Sequence, residues 1–505
     1  MHAGALWRDE VNSVATAGPP TLAGVWRLLA YDSFPLAWFL ALRSWMALGL
    51  GDTDVGLRAF GTLGGLMLPL AIWFAMRRLT RSLPLASLAL VAVNPEIIRW
   101  TASVRAWGVS AALVIVVLVL VREASMNLTR RRIALALVAT VLAVHVTYQN
   151  AFLVAGIILA AAGVAAARRQ WVEAAASLGI GMIAAVSLAP YGGFLQRRAS
   201  WNALNESHFT LSDLFRRAWE VTSSAGPIVA ACGVALIGLG LVAAARWAAS
   251  PGAKSVNRAR RGTAVYVMAA AMLSTSALMA FYLALRYPTQ PWYYVGVLSL
   301  VAVCAEVAVA SAVAARRARI WRVGLASVVL AAGLVPAGRA LNEPHTNVDD
   351  IATYLNASTS PTDLIVVYPW YLGMPLTRYY TAGAPVVTIP ALDDYSVHRY
   401  DLLKAAMMTA DPVAPVLSQI KDTLESGRRV WIVGSIPVGP SVTAAVRLPP
   451  PPLPGSGWNS GPYEDTWVRE VGAFIGAHVL DRRQLTPAPG GRFETETLTV
   501  LTGWK

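Results

Sequence analysis

Long apolar runs separated by short polar segments occupy the first two thirds of the chain. A membrane-spanning helix needs roughly 20 apolar residues, so this pattern predicts a helical membrane bundle. We expect about ten spans, at 56–76, 83–98, 104–121, 133–148, 150–167, 172–190, 227–246, 264–285, 293–314 and 321–338. A shorter apolar run at 35–50 carries Arg43 in its middle, which favours a helix lying at the membrane surface.

From about residue 342 the pattern becomes that of a soluble domain. Short apolar runs bounded by polar residues predict buried strands at 363–368, 385–389 and 429–433. Helices are expected between them, at 348–356 and 412–426, and strands that alternate with helices favour a small parallel α/β sheet. A helix over 467–481 and a strand over 496–501 would complete the domain, and the proline-rich stretch 449–454 predicts a stiff linker or loop.

These patterns predict a mainly α-helical polytopic membrane protein with a C-terminal extracytoplasmic α/β domain. Residues 1–55 would form a first outer loop with the interfacial helix, 56–340 the transmembrane bundle, and 341–505 the soluble domain. The sequence opens on polar residues without an export segment. We therefore expect either a short outer tail or a further helix ahead of this sequence.

Charge supports this topology. The 505 residues are 56% hydrophobic and only 14% charged, yet the net charge is +14. Arginine clusters such as Arg77-Arg78 and Arg130 to Arg132 all fall on one side of the predicted alternation, as the positive-inside rule requires of cytoplasmic loops. The basic excess thus reports topology and not a nucleic-acid partner. It predicts a multi-pass protein of the cell membrane whose two soluble segments lie on the periplasmic or extracellular side.

Ordinary catalytic motifs of soluble enzymes are missing: the sequence has no HExxH, no CxxC pair and no GxSxG. The most informative stretch is LWRDE at 6–10, because Asp9 and Glu10 form an acidic pair just before the first membrane elements. A carboxylate beside arginines can act as a general base. The alternative is structural, with Asp9 as a helix N-cap and Glu10 in the first turn.

Three further features keep the same order along the chain. LWRDEVNSVA is followed by Tyr31-Asp32-Ser33-Phe34-Pro35, the turn at 102–107 carries Arg105, and Arg286-Tyr287 precedes Trp292-Tyr293-Tyr294. Together with the acidic pair, this arrangement resembles the GT-C glycosyltransferases, in particular the branch of protein O-mannosyltransferases and aminoarabinose transferases. The resemblance covers roughly residues 1–340, and it extends to the plan of an outer C-terminal domain.

The resemblance implies a membrane transferase that moves a sugar from a polyprenyl-phosphate donor to an extracytoplasmic glycan, lipid or protein, with inversion. Asp9 would be the general base, and Glu10 would position Asp9 or the acceptor. Arg105 and Arg286, the latter followed by Tyr287, would bind the donor phosphate, since a guanidinium matches phosphate in a bidentate fork. The alternative for both arginines is snorkelling toward lipid headgroups.

Asp32 is either a third acid of the site or a turn residue before Pro35. His145 and Gln149 are four residues apart, which places them on one helix face as substrate-binding groups or as helix-end caps. No metal motif is present, although the oxygens of Asp9, Glu10 and Asp32 leave a divalent cation, Mg or Mn, as an open option.

Two other functions compete with the transferase. A lipid or solute transporter or flippase would rely on Glu306, which is the one acid placed well inside a predicted span. A membrane scaffold would bind envelope components through the C-terminal domain and would tolerate changes at Asp9 and Arg286.

Overall fold

A computed structural model describes residues 4–206, 209–248, 255–312, 315–438, 446–485 and 494–505. The chain forms two compact units. The first, called the α/β unit, combines Met1–Asp32 and Phe194–Ser207 with Asn342–Lys505. The second, called the helical unit, comprises Ser33–Gly193 and His208–Leu341. The N-terminal acids therefore belong to the same compact unit as the C-terminal sheet.

The α-helices in chain order are α1 Arg8–Ala17, α2 Leu22–Leu28, α3 Leu36–Trp45, α4 Asp54–Thr80, α5 Ala86–Ala92, α6 Pro95–Thr101, α7 Trp107–Met126, α8 Arg130–Val146, α9 Asn150–Ala166, α10 Trp171–Ser187, α11 Gly192–Asn202, α12 Leu211–Ser223, α13 Pro227–Ala248, α14 Ser255–Leu285, α15 Val295–Ala312, α16 Ala315–Asn342, α17 Val348–Ser358, α18 Gly373–Tyr379, α19 Tyr400–Met408, α20 Ala414–Glu425 and α21 Gly461–His478. The strands are β1 Leu364–Val367, β2 Val386–Thr388, β3 Val430–Val433, β4 Val479–Leu485 and β5 Leu498–Trp504. Single 3-10 turns lie at Leu29–Tyr31, Ala189–Tyr191, Ala203–Asn205, Pro291–Tyr294 and Trp370–Leu372, and a π-helical turn follows α3 at Met46–Leu50.

The helical unit carries the membrane character of the chain. Among the described residues, seven helical stretches are long and apolar enough to cross a membrane. Their outer surfaces are apolar as well: Leu70 and Met182, for example, are each 65% exposed. Such exposure of large apolar side chains is the pattern expected of lipid-facing helices in a multi-pass membrane protein. The seven stretches are Asp54–Thr80, Trp107–Met126, Trp171–Asn205, Pro227–Arg246, Arg260–Leu285, Pro291–Ala312 and Arg319–Asn342.

The expectation of one continuous span over 83–98 is wrong. This segment forms two helices of seven residues each, α5 and α6, separated at Asn94-Pro95. Asn94 accepts the Ile97 N–H through its side chain and so caps α6, while Pro95 has no N–H for a continuing helix. The segment is apolar, as predicted, but the interruption between α5 and α6 was not predicted.

The other predicted spans are helical. The runs predicted at 133–148 and 150–167 are α8 and α9, each of 17 residues, which is shorter than the seven long stretches. The run at 35–50 contains α3, and Gly49 in the turn after it adopts a positive φ of 74°. Its position at the membrane surface stays a prediction.

The α/β unit is built on one five-stranded sheet with the order β2-β1-β3-β5-β4. β1 pairs in parallel with β2, through Ile365 and Val386, and with β3, through Leu364 and Val430. The parallel sheet predicted from the three apolar runs is therefore confirmed for these strands. β5 pairs antiparallel with β3 and β4, so the complete sheet is mixed.

Apolar cores cover both faces of this sheet, because side chains alternate along each strand. Leu364 and Val366 of β1 pack on one face with helices α19 to α21, and Leu204 from the 194–207 segment joins this core. Ile365 and Val367 pack on the other face with α17 and α18, where Ala5 joins them. Two segments distant in sequence thus enter the α/β unit through its hydrophobic cores.

The predicted helix over 467–481 extends too far, because residues 479–481 belong to strand β4, which was not predicted. The helix ends at His478, and β4 exposes the run Asp481 to Gln484 at the edge of the sheet. Charged side chains are common on edge strands, where they discourage pairing with other chains. The same charges conceal the strand in a search for apolar alternation.

Candidate functional site

Helix α1 presents the predicted acidic pair. Its N-cap is Trp7, which is extended, so Asp9 and Glu10 both lie in the first turn. The alternative in which Asp9 is the N-cap is therefore wrong by two positions. Acids in a first turn are stabilised by the positive end of the helix dipole.

Glu10 points into the interior of the α/β unit. Its side chain has no exposed surface, and its Oε2 accepts the backbone N–H of Trp7 at 3.2 Å. The same oxygen lies 3.6 Å from Nδ1 of His345, whose side chain is 5% exposed. Glu10 thus closes the start of α1 and holds it to the segment before α17.

Asp32 is also buried, at 3% exposure. Its Oδ2 accepts from Asn12 Nδ2 at 2.9 Å and from the Ser13 hydroxyl at 3.3 Å. Asn12 in turn accepts the backbone N–H of His398 at 2.9 Å. These bonds connect α1, the end of the N-terminal segment and the loop before α19, which is the geometry of a structural acid.

Asp9 is the more accessible acid, with 21% of its side chain exposed. Its Oδ1 lies 3.8 Å from Nε of Arg8, and Arg8 Nη1 lies 3.8 Å from Oε1 of Glu494. The Arg8 guanidinium also lies over the Tyr371 ring, 4.2 Å from its centroid. Arg8 therefore stands between two carboxylates and an aromatic face. We call this group the carboxyl-edge cluster; its members are Arg8, Asp9, Tyr371, Glu494 and Glu496.

The name comes from the sheet edge at which the cluster is held. Tyr371 follows β1, and Gly434 follows β3; both stand after the carboxyl ends of parallel strands. The Gly434 N–H donates to the Thr497 carbonyl at 2.8 Å, and the Thr497 hydroxyl donates to the Gly434 carbonyl at 2.9 Å. This edge is where open α/β sheets place ligand sites.

The two glutamates of the cluster are fixed through their backbone. The N–H of Glu494 donates to the His345 carbonyl at 2.8 Å. Asn347 holds Glu496 from both sides, accepting its N–H at 2.8 Å and donating to its carbonyl at 2.9 Å. The segment that contains His345 and Asn347 thus fixes the backbone of the residues before β5.

Burial changes how these groups hold protons. It raises the pKa of Glu494, an effect that Arg8 opposes, and burial together with the Glu494 charge raises the pKa of Glu496 to about 7. Burial by itself would lower the pKa of Arg8, but Tyr371, Glu494 and Asp9 together raise it above its ordinary value. The cluster therefore combines a permanent cation, a half-buried aspartate and a glutamate that titrates near neutral pH.

Such a set can move a proton and hold a polar acceptor. A carboxylate with partial solvent access can take a proton from a hydroxyl group, and a fixed cation beside it supports the charge. From the sequence alone, no site role was predicted for the cluster residues Arg8, Tyr371, Glu494 and Glu496, or for His345 beside Glu10. The signal that was available is Glu494-Thr495-Glu496, an acidic pair directly ahead of a strand.

In the helical unit, Arg105 belongs to an aromatic cluster. Its side chain is buried at 5% exposure, and its guanidinium lies 4.4 Å from the centroid of the Phe34 ring. Phe34 meets Trp107 edge-on at 5.1 Å, and Trp107 in turn lies 5.7 Å from Tyr293. The arginine is therefore held over the Phe34 ring, where its charge is stabilised by cation–π contact.

Gln149 joins the other end of this cluster. Its Oε1 accepts the hydroxyl of Tyr282 at 2.8 Å, and the Tyr282 ring stacks with Tyr293 at 5.9 Å. Aromatic contacts thus link two of the residues predicted to bind substrate, Arg105 and Gln149, although 44 positions separate them in the sequence.

His145 is separate from Gln149, so their placement on one helix face is wrong. α8 ends at Val146 and α9 begins at Asn150, because Thr147 leaves the helical conformation with a ψ of 126°. The His145 ring bonds the Tyr191 hydroxyl through Nδ1 at 3.2 Å and the Ser187 hydroxyl through Nε2 at 3.0 Å. Its neighbours are therefore α10 and the turn after it.

Arg286 and Tyr287 follow the end of α14 at Leu285. Arg286 is exposed and adopts a left-handed φ of 49°, and its N–H donates to the Leu283 carbonyl at 3.4 Å. Tyr287 is half-buried. A non-glycine residue in this backbone region is uncommon and costs free energy. The Arg286 side chain is thus open to solvent, whereas that of Arg105 is buried.

Glu306, the acid on which a transporter would depend, is fully buried and fully engaged. It accepts the backbone N–H groups of Leu85, Ala86 and Ser87 and the Ser87 hydroxyl, at distances between 2.6 and 3.2 Å. Arg322 donates to it at 2.6 Å. Glu306 thus caps α5 and neutralises a buried arginine.

The divalent cation that the sequence leaves open stays a prediction. Across the ranges that the structure describes, no group of three or more His, Cys, Asp or Glu side chains is placed to hold a metal ion. The three acids considered for a cation diverge, because Glu10 faces His345 while Asp32 faces Asn12.

Comparison of the chain with protein-family models and with curated proteins found no match to either.

Proposed function

We propose that this protein is a membrane glycosyltransferase, which transfers a sugar from a polyprenyl-phosphate donor to an extracytoplasmic glycan, lipid or protein. The observation that carries the proposal is the Asp9 carboxylate, partly open to solvent and 3.8 Å from the Arg8 guanidinium within the carboxyl-edge cluster. It belongs to a chain whose apolar helices fit a substrate dissolved in the membrane.

In the proposed reaction an acceptor hydroxyl oxygen attacks the anomeric carbon of the donor sugar. Asp9 takes the hydroxyl proton as the new carbon–oxygen bond forms. The bond between the anomeric carbon and the phosphate oxygen breaks, and the phosphate leaves with the electron pair. Arg105 and Arg286 are assigned to the phosphate, because fixed cations stabilise developing negative charge.

Glu10 and Asp32 act in this proposal as positioning residues. Both are buried, and both accept hydrogen bonds that fix α1. They set the direction in which Asp9 projects from the helix, and neither needs to touch the substrate. Of the two roles expected for Glu10, positioning of Asp9 or of the acceptor, the proposal keeps the positioning of Asp9.

An apolar cavity in the helical unit supports a donor with a lipid tail. Its volume is about 230 Å³, and carbon surface dominates its walls. Phe215, Ala218, Trp219 and Thr222 supply one wall from a single face of α12, since they recur at helical spacing. Leu90, Val234 and Leu298 contribute from α5, α13 and α15. An isoprenoid chain is the class of ligand that such a surface solvates.

The transporter hypothesis loses its main residue in this geometry. A coupling acid must exchange its ion or proton during transport, whereas Glu306 accepts five hydrogen bonds and pairs with Arg322. We therefore assign it to the structure of the bundle.

The test is transfer from a panel of radiolabelled polyprenyl-phosphate sugars in membranes that carry wild type, Asp9→Asn or Asp465→Asn. Asp465 is the matched control, an exposed aspartate of α21 in the same α/β unit. Membrane insertion of all three is verified, and each assay is run with Mg, with Mn and with a chelator. We expect transfer by wild type and Asp465→Asn and at least a hundredfold loss in Asp9→Asn. Equal transfer by all three would refute the role of Asp9, and no transfer from any donor would refute the function.

A further inference from the structure

The basic end of the helical unit contains a buried arginine that lacks a complete set of partners. Arg122 lies near the end of α7 and is only 4% exposed. Its Nη2 is buried and has no hydrogen-bond partner among the described residues. The Tyr266 ring lies 5.2 Å from its guanidinium carbon, and the Tyr266 hydroxyl is itself used by the Leu118 carbonyl at 2.8 Å.

A second guanidinium converges on the same place. A Cβ added to Gly262 would stand 1.5 Å from Arg168 Nη2 and 3.0 Å from Arg122 Nη2. Both side chains therefore reach into the space that the missing side chain of α14 leaves open. The position must be glycine for the Arg168 guanidinium to lie where it does.

The partners of Arg168 are weak. Its Nη1 donates to the Met126 thioether at 3.3 Å, and a thioether is a poor acceptor. Arg261 lies beside Gly262 on α14, donates to the Ala248 carbonyl at 2.9 Å and adds a third positive charge.

No nearby carboxylate of the described residues neutralises the charges of Arg122 and Arg168. Glu123 follows Arg122 in sequence, but its carboxylate is held by Arg78 through two bonds of 2.6 and 2.8 Å. Within the part of the chain that the structure describes, no carboxylate pairs with Arg122 or Arg168. A buried charge without a counter-charge costs several kcal/mol, so two guanidinium groups facing one space favour a bound anion.

We propose that Arg122 and Arg168 form a phosphate-binding site at the basic end of the bundle. The ligand class is a phosphate group, either the headgroup of an anionic phospholipid or a free phosphate. Two guanidinium groups provide directed N–H donors that match phosphate oxygens, and basic pockets between membrane helices bind lipid headgroups by the same chemistry. The site uses none of the residues assigned to sugar transfer and stands independently of that function.

The experiment uses the purified full-length protein in nanodiscs of neutral lipid. Phosphatidylglycerol and inorganic phosphate are added in separate arms, and binding is measured by native mass spectrometry and by the rise in melting temperature. Arg122→Gln and Arg168→Gln remove one donor group each. Arg131→Gln, an exposed arginine in the first turn of α8, removes the same charge and serves as the control. Arg122→Lys keeps the charge and checks that the bundle folds when the fork is lost.

We expect wild type and Arg131→Gln to bind phosphatidylglycerol, inorganic phosphate or both. Arg122→Gln and Arg168→Gln should bind the same probe with at least tenfold lower affinity. Binding of phosphatidylglycerol alone would identify the ligand as a lipid headgroup, and binding of inorganic phosphate alone would identify it as a soluble anion. Equal affinity across all the variants, or no saturable binding of either probe by folded wild type, would overturn the site.

Discussion

The Nδ1 atom of His345 lies 3.6 Å from the Oε2 atom of Glu10. The Glu10 side chain has no exposed surface, and the His345 side chain is 5% exposed. This contact joins the first turn of α1 to the segment that opens the C-terminal part of the α/β unit. The acidic pair at positions 9 and 10 therefore occupies two environments, since Glu10 faces inward and Asp9 keeps partial access to solvent.

Replacing Glu10 with Gln is therefore expected to lower stability more than replacing Asp9 with Asn. Loss of the buried carboxylate weakens the hydrogen bond from the Trp7 N–H and the contact with His345, at a cost of about 1–3 kcal/mol in the free energy of unfolding. Asp9→Asn makes the same change of charge on the same helix turn, and we expect it to cost less than about 0.5 kcal/mol. Thermal unfolding in detergent measures both.

A double-mutant cycle with His345→Gln tests the contact itself. We expect a coupling energy of at least about 0.5 kcal/mol between Glu10 and His345. Strictly additive effects would mean that the two side chains do not interact.

The stability of the α/β unit is expected to fall as pH rises toward 7, because of Glu496. Its pKa is raised from 4.5 to about 7 by burial and by Glu494, so folding favours its protonated form. This contribution is fully present below pH 4.5 and is lost as pH rises through about 7. Its upper limit is about 3 kcal/mol.

Glu496→Gln removes the titration while keeping the shape. We expect the variant to match wild type near pH 5 and to melt at a higher temperature than wild type at pH 8. Glu425→Gln, an exposed change on α20, should leave the pH profile as it is. A variant profile parallel to that of wild type between pH 5 and 8 would exclude Glu496 as the titrating group.

Local pattern predicted much of this fold. The runs that became β1, β2 and β3 were identified because buried parallel strands are continuously apolar, and that property depends on no distant residue. The long membrane helices were identified for the same reason. The break at Asn94-Pro95 was missed since composition outweighed a cap and a proline that both signal an interruption.

The candidate site was only half predictable. Asp9 and Glu10 stand out as adjacent charges in the sequence, but Glu494, which pairs with Arg8, and His345, which faces Glu10, lie more than 300 residues away. Nothing local relates these positions, because the hydrophobic cores and the backbone bonds at the sheet edge bring them together. The different solvent exposures of Glu10 and Asp9 likewise depend on the tertiary fold.

Gly434 is expected to tolerate alanine far less well than Gly427 does. Both have positive φ, 96° and 72°, so alanine strains the backbone at each. A Cβ at Gly434 would also stand 1.6 Å from the Tyr368 carbonyl oxygen, while a Cβ at Gly427 meets nothing within 4 Å.

We expect a cost of about 1–2 kcal/mol for Gly427→Ala and about 3 kcal/mol or more for Gly434→Ala. Chemical denaturation followed by tryptophan fluorescence compares them. Similar losses at both positions would show that the close approach of β1 and β3 at the carboxyl edge is not rigid.

The buried pair Glu306–Arg322 is expected to stabilise the helical unit. Single and double substitutions distinguish this structural role from ion coupling. Glu306→Ala leaves Arg322 buried without its carboxylate and α5 without its cap, so we expect a loss of about 3–5 kcal/mol. Glu306→Leu combined with Arg322→Met removes both charges and should be less destabilising than either single change, since no uncompensated charge remains. Melting temperature in detergent ranks the variants. A double variant less stable than both single ones, or a stable Glu306→Ala protein that has lost a proton-coupled flux, would favour the transporter instead.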